Sequence, residues 1–407
     1  MRIAFIDNLQ VGGGLSRFSL LLCKGLIEHY PALKIDYYIH YDNLRHIPEI
    51  KNIDPRVSVK VLECSLPKSF PARFAEKVLS KVIRGNPKVD KGLLEIERRI
   101  GADYDLAYFP SAHMMRRPDI RTAVVGTLHD FNWRYFFGRQ NFSMSFVEMM
   151  DVEILNWMNN GLNICSSHDV VNEARKLYPA AKRFPEVVHI APVVVNTGIS
   201  DERAVQILKE LNIDFPYIIF PGNFTAHKNH LNLFTAFAIL RERKGYDQYK
   251  LLLTGMNSDQ VRKGIAGRRG VQLLTRKSDS DQYDVLGIGY QKNEVIDALI
   301  SKAKLLVSPS IYEAICTPAM DAWNFGTPTA ISDIPPFREH EKVWGIRSAF
   351  FDPMDPANIA DVLDGYLTEY DKAMEDARIS RVNMQKYGWK EVTTGYMAVF
   401  ENAIQQK

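Results

Sequence analysis

Ser308-Pro309-Ser310-Ile311-Tyr312-Glu313-Ala314-Ile315-Cys316-Thr317-Pro318-Ala319-Met320-Asp321-Ala322-Trp323 is the stretch on which the reading of this chain turns. The apolar run before it, Lys304 to Val307, predicts a buried strand, and the stretch opens on a Ser-Pro-Ser turn. A helix-compatible segment follows, with Glu313 at its entrance and Asp321 eight residues on. On a continuous helix that spacing is about 800°, so the two carboxylates would point within roughly 80° of each other. The first N–H groups of a helix have no internal partners and attract anions. One element thus offers an anion site between two acceptors for sugar hydroxyls. A molecule with phosphates in the middle and polyols at both ends fits it, and a nucleotide sugar is such a molecule.

The same alternation of short apolar runs and amphipathic stretches extends in both directions and predicts an α/β fold with parallel sheets. Strands are expected at Ile3–Ile6, Ile35–Ile39, Val57–Val61, Leu106–Phe109, Ala123–Thr127, Leu162–Ser166 and Val187–Ile190. A second series runs Tyr217–Phe220, Lys250–Thr254, Asp284–Leu286, Leu305–Val307, Thr329–Ile331 and Ala349–Phe351. Helices are expected at Leu15–Tyr30, Phe146–Asn159, His230–Lys244, Lys292–Lys302, Thr317–Asn324 and Pro356–Ser380. The polar stretch Val195–Asn212 separates the two series. It sets a first domain at residues 1–195, a second at 196–382, and a terminal helix at 383–407 that docks back on the first.

A net charge of +3 gives no case for a nucleic-acid partner. Cys23, Cys64, Cys165 and Cys316 lack metal-type spacing and read as free thiols in a reducing compartment. The start Met1-Arg2-Ile3-Ala4-Phe5 reads as a strand, and no apolar run reaches the length of a bilayer span. The expected location is the cytoplasm.

Further residues carry chemistry. Gly12-Gly13-Gly14 follows the first strand and opens a helix, where glycines let backbone approach a phosphate; Arg17 breaks the full dinucleotide fingerprint, and a plain turn is the alternative. Gly222-Asn223-Phe224-Thr225-Ala226-His227-Lys228 stands at the equivalent place in the second half. A lysine at a helix N-terminus makes electrostatic sense beside an anion; otherwise it is a solvated loop lysine. His129 ends a strand facing the presumed cleft, or is a structural histidine bonded to Asp130. His168 and His340 read as structural. Gly287-Ile288-Gly289-Tyr290 offers backbone groups to a base edge and a ring to stack on it, or is a simple turn. Asp279-Ser280-Asp281 has the form of a metal pair but sits in a polar run, so no metal site is expected. Arg73, Lys77, Lys81, Arg84, Lys88 and Lys91, interleaved with apolar residues, form either a peripheral membrane contact or a solvated face.

Together these landmarks resemble the family 4 glycosyltransferases, whose GT-B fold sets two Rossmann-like domains face to face across a cleft. The resemblance is most specific in Gly222…Lys228-Asn229, Leu251–Gly255, Leu286–Gly289, Val307–Ala314, Gly326–Ser332 and Phe351–Pro356. In the first half it covers the glycine loop, His129-Asp130 and Ser166-Ser167. Among family members it is most similar to mannosyl- and hexosyltransferases of bacterial surface polysaccharides, O-antigen included. The resemblance implies that Glu313 holds donor-sugar hydroxyls and that Asp321, where the family has a second glutamate, holds the ribose. It implies that Lys228 binds the diphosphate, that His129 faces the reacting side of the donor sugar, and that Gly13 and Gly14 lie over diphosphate and acceptor. The amides of Ile315, Cys316 and Thr317 would share the diphosphate, and Gly289 and Tyr290 the base. Asn223 stands where many members have an arginine.

The function expected is retaining transfer of a hexose from a GDP- or UDP-linked donor to a glycan or lipid-linked glycan, with Glu313, His129 and Lys228 catalytic. No separate cofactor is expected. Two alternatives keep the fold: a sugar-nucleotide epimerase and a non-catalytic partner subunit. A nicotinamide oxidoreductase fits less well, since the glycine fingerprint is incomplete.

Overall fold

The computed structural model describes residues 1–7, 14–40, 43, 47–62, 91–101, 103–136, 143–192, 199–263 and 284–407. Gly12, Gly13, the basic residues from Arg73 to Lys88, Val195 and Asp279–Asp281 lie outside these residues.

Two parallel sheets organise the chain. The first joins β1 (Arg2–Asp7), β2 (Lys34–Ile39), β3 (Val57–Val61), β4 (Leu106–Phe109), β5 (Ala123–Thr127), β6 (Leu162–Cys165) and β7 (Glu186–Val187). Their order is β3-β2-β1-β4-β5-β6-β7. The second joins β8 (Tyr217–Pro221), β9 (Lys250–Thr254), β10 (Val285–Gly287), β11 (Leu305–Ser308), β12 (Thr329–Ser332) and β13 (Ala349–Phe351), ordered β10-β9-β8-β11-β12-β13. Both follow the doubly wound nucleotide-binding order, which reverses direction beside the first strand. Registers such as Ile3 against Ile35 and Ile218 against Leu251 are parallel. Helices cover both faces, so strands such as Tyr217-Ile218-Ile219-Phe220-Pro221 are buried at every residue and read as unbroken apolar runs.

The helices are α1 (Gly14–His29), α2 (Ile47–Lys51), α3 (Lys91–Arg99), α4 (Trp133–Phe136), α5 (Met144–Asn160), α6 (His168–Leu177), α7 (Asp201–Glu210), α8 (His230–Arg241), α9 (Asn293–Lys302), α10 (Thr317–Phe325), α11 (Pro335–Trp344), α12 (Pro356–Thr368), α13 (Tyr370–Met384) and α14 (Trp389–Gln405). Three details differ from the sequence expectation. The polar stretch before Asn212 contains α7, which Ser200 caps through Arg203 N–H and which packs Ala204 and Ile207 on Ala298 of α9. Only two of its ten residues are buried, too thin an apolar stripe to stand out in the sequence. The long segment expected from Pro356 breaks at Glu369 (φ −91°, ψ 49°), just after the weak helix formers Gly365 and Thr368. The strand expected at Val187–Ile190 is the two-residue β7.

The last helix, α14, returns to the first sheet. Tyr396 and Phe400 put their rings 5.8 and 5.1 Å from that of Tyr108, and the Tyr396 and Thr127 hydroxyls are 3.2 Å apart. Gly25 of α1 permits this approach: a Cβ there would lie 2.9 Å from Thr393 of α14.

Candidate active site

In a doubly wound sheet the ligand crevice lies at the carboxyl ends of the strands where the order reverses. In the second sheet that point is between β8 and β11. The segment after β8 carries Lys228; the one after β11 carries Glu313 and leads into α10. Asn229 fastens the two together. It sits in the left-handed region (φ 57°), and its side chain donates to the carbonyls of Pro309 (3.0 Å) and Pro353 (2.6 Å). Ile311 N–H donates to His227 O at 2.8 Å. Held this way, Lys228 Nζ lies 2.5 Å from Glu313 Oε1, with side chains only 17% and 8% exposed. Burial works against the Lys228 charge, but Glu313 more than offsets it and holds the ammonium above its ordinary range.

The path from Glu313 to Asp321 is not one helix. Residues 309–316 are irregular, and α10 begins at Thr317 with Pro318 in its first turn. The 800° projection therefore does not apply; the turn at Pro309 and the helix start at Pro318 set the geometry instead. Cys316 precedes the helix without a side-chain cap. The amides of Ile315, Cys316 and Thr317 donate to no described residue, so α10 presents an open, partly positive end. The Cys316 side chain is buried, donates to Ser308 Oγ at 3.5 Å, and burial raises its thiol to about 11. Asp321, one turn into α10, is buried, and Arg17 of α1 reaches across the cleft to 3.9 Å from its carboxylate.

The first domain contributes His129 after β5. Its Nε2 lies 2.7 Å from Pro110 O. A carbonyl only accepts, so the proton sits on Nε2 and Nδ1 keeps its lone pair. Burial, and then the neighbouring His113 (ring centroids 5.2 Å apart), hold His129 down at about 3, so it is neutral at physiological pH. The alternative bond to Asp130 is not made; Asp130 accepts from Asn132 N–H, and burial raises its carboxyl above the usual range. Tyr312, beside Glu313, stitches the domains: its hydroxyl accepts from Phe131 N–H at 3.0 Å and donates to Glu173 at 2.7 Å. Next to it a cavity of about 290 Å³ opens between the domains, lined by Tyr135, Asp169, Glu173, Tyr312, Glu313 and Pro335 among others.

Other expected contacts are not brought into this group. Asn223 accepts from Met256 N–H at 2.8 Å through Oδ1, which ties its loop to the one after β9. Gly289 adopts φ +74° and gives its N–H to Ser258 Oγ at 2.9 Å, so that N–H is occupied and not offered to a base. Tyr290 is 59% exposed. Gly14 opens α1 at the end of the first strand, while Gly13 and Asp279–Asp281 lie outside the described residues. Among the described residues no helix is long and apolar enough to cross a membrane. Arg17, Glu173, Tyr312 and Asn229 were not anticipated in these roles. Arg17 had a visible signal as a cation in a glycine fingerprint; Glu173 had none, because its partner is 139 residues away.

Comparison with known proteins agrees with this architecture. Residues 206–388 match the family described as glycosyl transferases group 1. An MMP α-(1→4)-mannosyltransferase of Mycolicibacterium hassiacum is 23% identical over 347 residues, covering 83% of this chain and 75% of that protein. Sucrose-phosphate synthase from Thermosynechococcus elongatus superposes with a TM-score of 0.71 at 16% identity, over 100% of both chains. HepE of Anabaena, solved in complex with UDP and glucose, gives 0.68 at 14% identity over 99% of this chain and 100% of that one. The two sheets facing across a cleft are the GT-B arrangement.

Proposed function

We propose that this chain, which has the GT-B fold and whose residues 206–388 match the group 1 glycosyl transferases, is a glycosyltransferase that moves a hexose from a nucleotide diphosphate sugar to a hydroxyl of a glycan or lipid-linked glycan, with retention of configuration. The observation that carries this reading is the Lys228–Glu313 pair beside the open end of α10, at the reversal point of the second sheet. The mannosyltransferase relative and the UDP complex of HepE support a hexose and a nucleotide donor.

In this reading Lys228 turns from Glu313 to the diphosphate and shares it with the amides of Ile315, Cys316 and Thr317. Glu313, released, accepts hydroxyls of the donor hexose, and Asp321 accepts the ribose once Arg17 moves aside. His129 closes the other side of the sugar as a neutral group, presenting Nδ1 as an acceptor. The bond from the anomeric carbon to the phosphate oxygen breaks, the acceptor oxygen adds on the same face, and its proton passes to the departing phosphate. Donors fixed on that leaving charge contribute about 3–4 kcal/mol each when such a site is closed to water.

Thermal unfolding against UDP, GDP and dTDP, followed by transfer assays with the matching sugar nucleotides, tests the reading. A stabilising nucleotide that is lost in Lys228→Ala supports it. Wild-type turnover in Lys228→Ala would remove the phosphate role and the mechanism with it.

A further inference from the structure

A second cluster of reactive side chains lies where the two domains meet. His168 opens α6 and His189 follows β7, both in the first domain; Glu339 projects from α11 of the second. Their potential ligand atoms all lie within 4.8 Å of one another. His189 Nε2 is 2.8 Å from Glu339 Oε1. The same carboxylate accepts from the backbone N–H groups of His168 (2.8 Å) and Asp169 (3.1 Å), capping α6 from the other domain. His189 and Glu339 are 17% and 13% exposed, whereas His168 is open to solvent.

We propose that His168, His189 and Glu339 form a site for a divalent transition metal of the zinc class, which clasps the two domains together. Two imidazoles and one carboxylate suit Zn²⁺ and neighbouring metals, while Ca²⁺ and Mg²⁺ prefer oxygen ligands throughout. With metal–ligand bonds of about 2.0–2.1 Å, neighbouring ligand atoms stand about 3.0–3.4 Å apart. The His189–Glu339 pair needs to spread by only a few tenths of an ångström, with the metal replacing the shared proton. His168, exposed in the first turn of α6, swings its ring to complete three protein ligands, and water fills the open position. A carboxylate offers about four lone-pair directions, so Glu339 keeps both backbone bonds while binding metal. Those bonds orient it, as outer partners do in established sites. Because one ligand comes from the opposite domain, the metal binds the closed arrangement in preference to an open one and shifts the population toward closure.

The test reads metal binding, not transfer. Chelator-treated full-length protein is titrated with Zn²⁺ by calorimetry and followed by thermal unfolding. One equivalent should bind and raise the melting temperature, with no response to Mg²⁺ or Ca²⁺. His168→Ala and His189→Ala should each weaken binding by about tenfold or more. His168→Ala should leave the metal-free melting temperature unchanged, because its amide and not its ring holds Glu339 in that state. No binding at micromolar Zn²⁺, or equal affinity in wild type and both variants, would overturn the proposal.

Discussion

At Lys228 two requirements compete: without ligand the ammonium satisfies Glu313, and with ligand it must satisfy a diphosphate. Removing it exposes both. Lys228→Ala leaves the Glu313 carboxylate buried without its cation, which should cost about 1–3 kcal/mol of stability by urea denaturation. Nucleoside diphosphate affinity should fall by more than tenfold while affinity for the bare nucleoside hardly changes, as titration calorimetry can check. Replacing Lys228 and Glu313 together by Met and Leu should recover stability without recovering binding, since an apolar pair of similar volume replaces a buried ion pair well. The buried histidines set an acid limit. His113 is held at about 4 and His129 and His230 at about 3, in each case mainly by burial. An exposed histidine titrates near 6.5, so between these values the unfolded chain binds more protons than the folded one. Their contribution is complete above about pH 6.5 and is lost as pH falls, by up to about 1.4 kcal/mol per pH unit for each. His230→Phe should flatten the dependence of unfolding free energy on pH between 7 and 5 by about one proton.

At the scale of elements, the loop after β8 and the loop after β11 act as one unit because Asn229 spans them. Asn229→Ala forfeits two side-chain hydrogen bonds and keeps an alanine in the left-handed region, whereas Asn229→Gly forfeits only the bonds. Both should be destabilised, alanine by about 1 kcal/mol more. Both should weaken nucleotide binding, since the loop that carries Lys228 is then no longer fastened to the segment that leads into α10. The same loops show what could be read beforehand. Parallel strands buried on both faces leave continuous apolar runs, so β8 and β11 were legible within a residue or so. Lys228 and Glu313 stood out as candidates because each follows such a run, yet nothing local required them to touch, as they do. Helices were harder where few residues face inward, as in α7. The helix start at Thr317 was read correctly, but the projection from Glu313 to Asp321 ran the helix back over Glu313 to Cys316, which has no strong breaker; the irregular path there goes with the tether of Ile311 to His227. The bond from Met256 N–H to Asn223 was not legible, because Met256 lies in a loop that only folding brings near.

Across the whole molecule, the cleft is held by a few polar stitches. Tyr312 links to Glu173 and Phe131, Tyr387 donates to His189 O at 2.7 Å, and Trp389 Nε1 donates to Pro192 O at 3.1 Å. Interfaces of this polar kind favour relative domain motion. Tyr312→Phe keeps the ring against Tyr135 and Phe136 but removes both hydrogen bonds. It should enlarge the ligand-free radius of gyration by small-angle scattering and raise KM for the donor several-fold, with a smaller loss in kcat. A nucleotide that binds both faces should restore the compact form. The return of α14 to the first sheet has a temporal consequence as well. Tyr396 and Phe400 are part of the hydrophobic interior that also holds Tyr108 and Phe5. During synthesis the amino-terminal domain must therefore wait, its apolar flank uncovered, until α14 has left the ribosome. The second domain can be finished first, although it is made later.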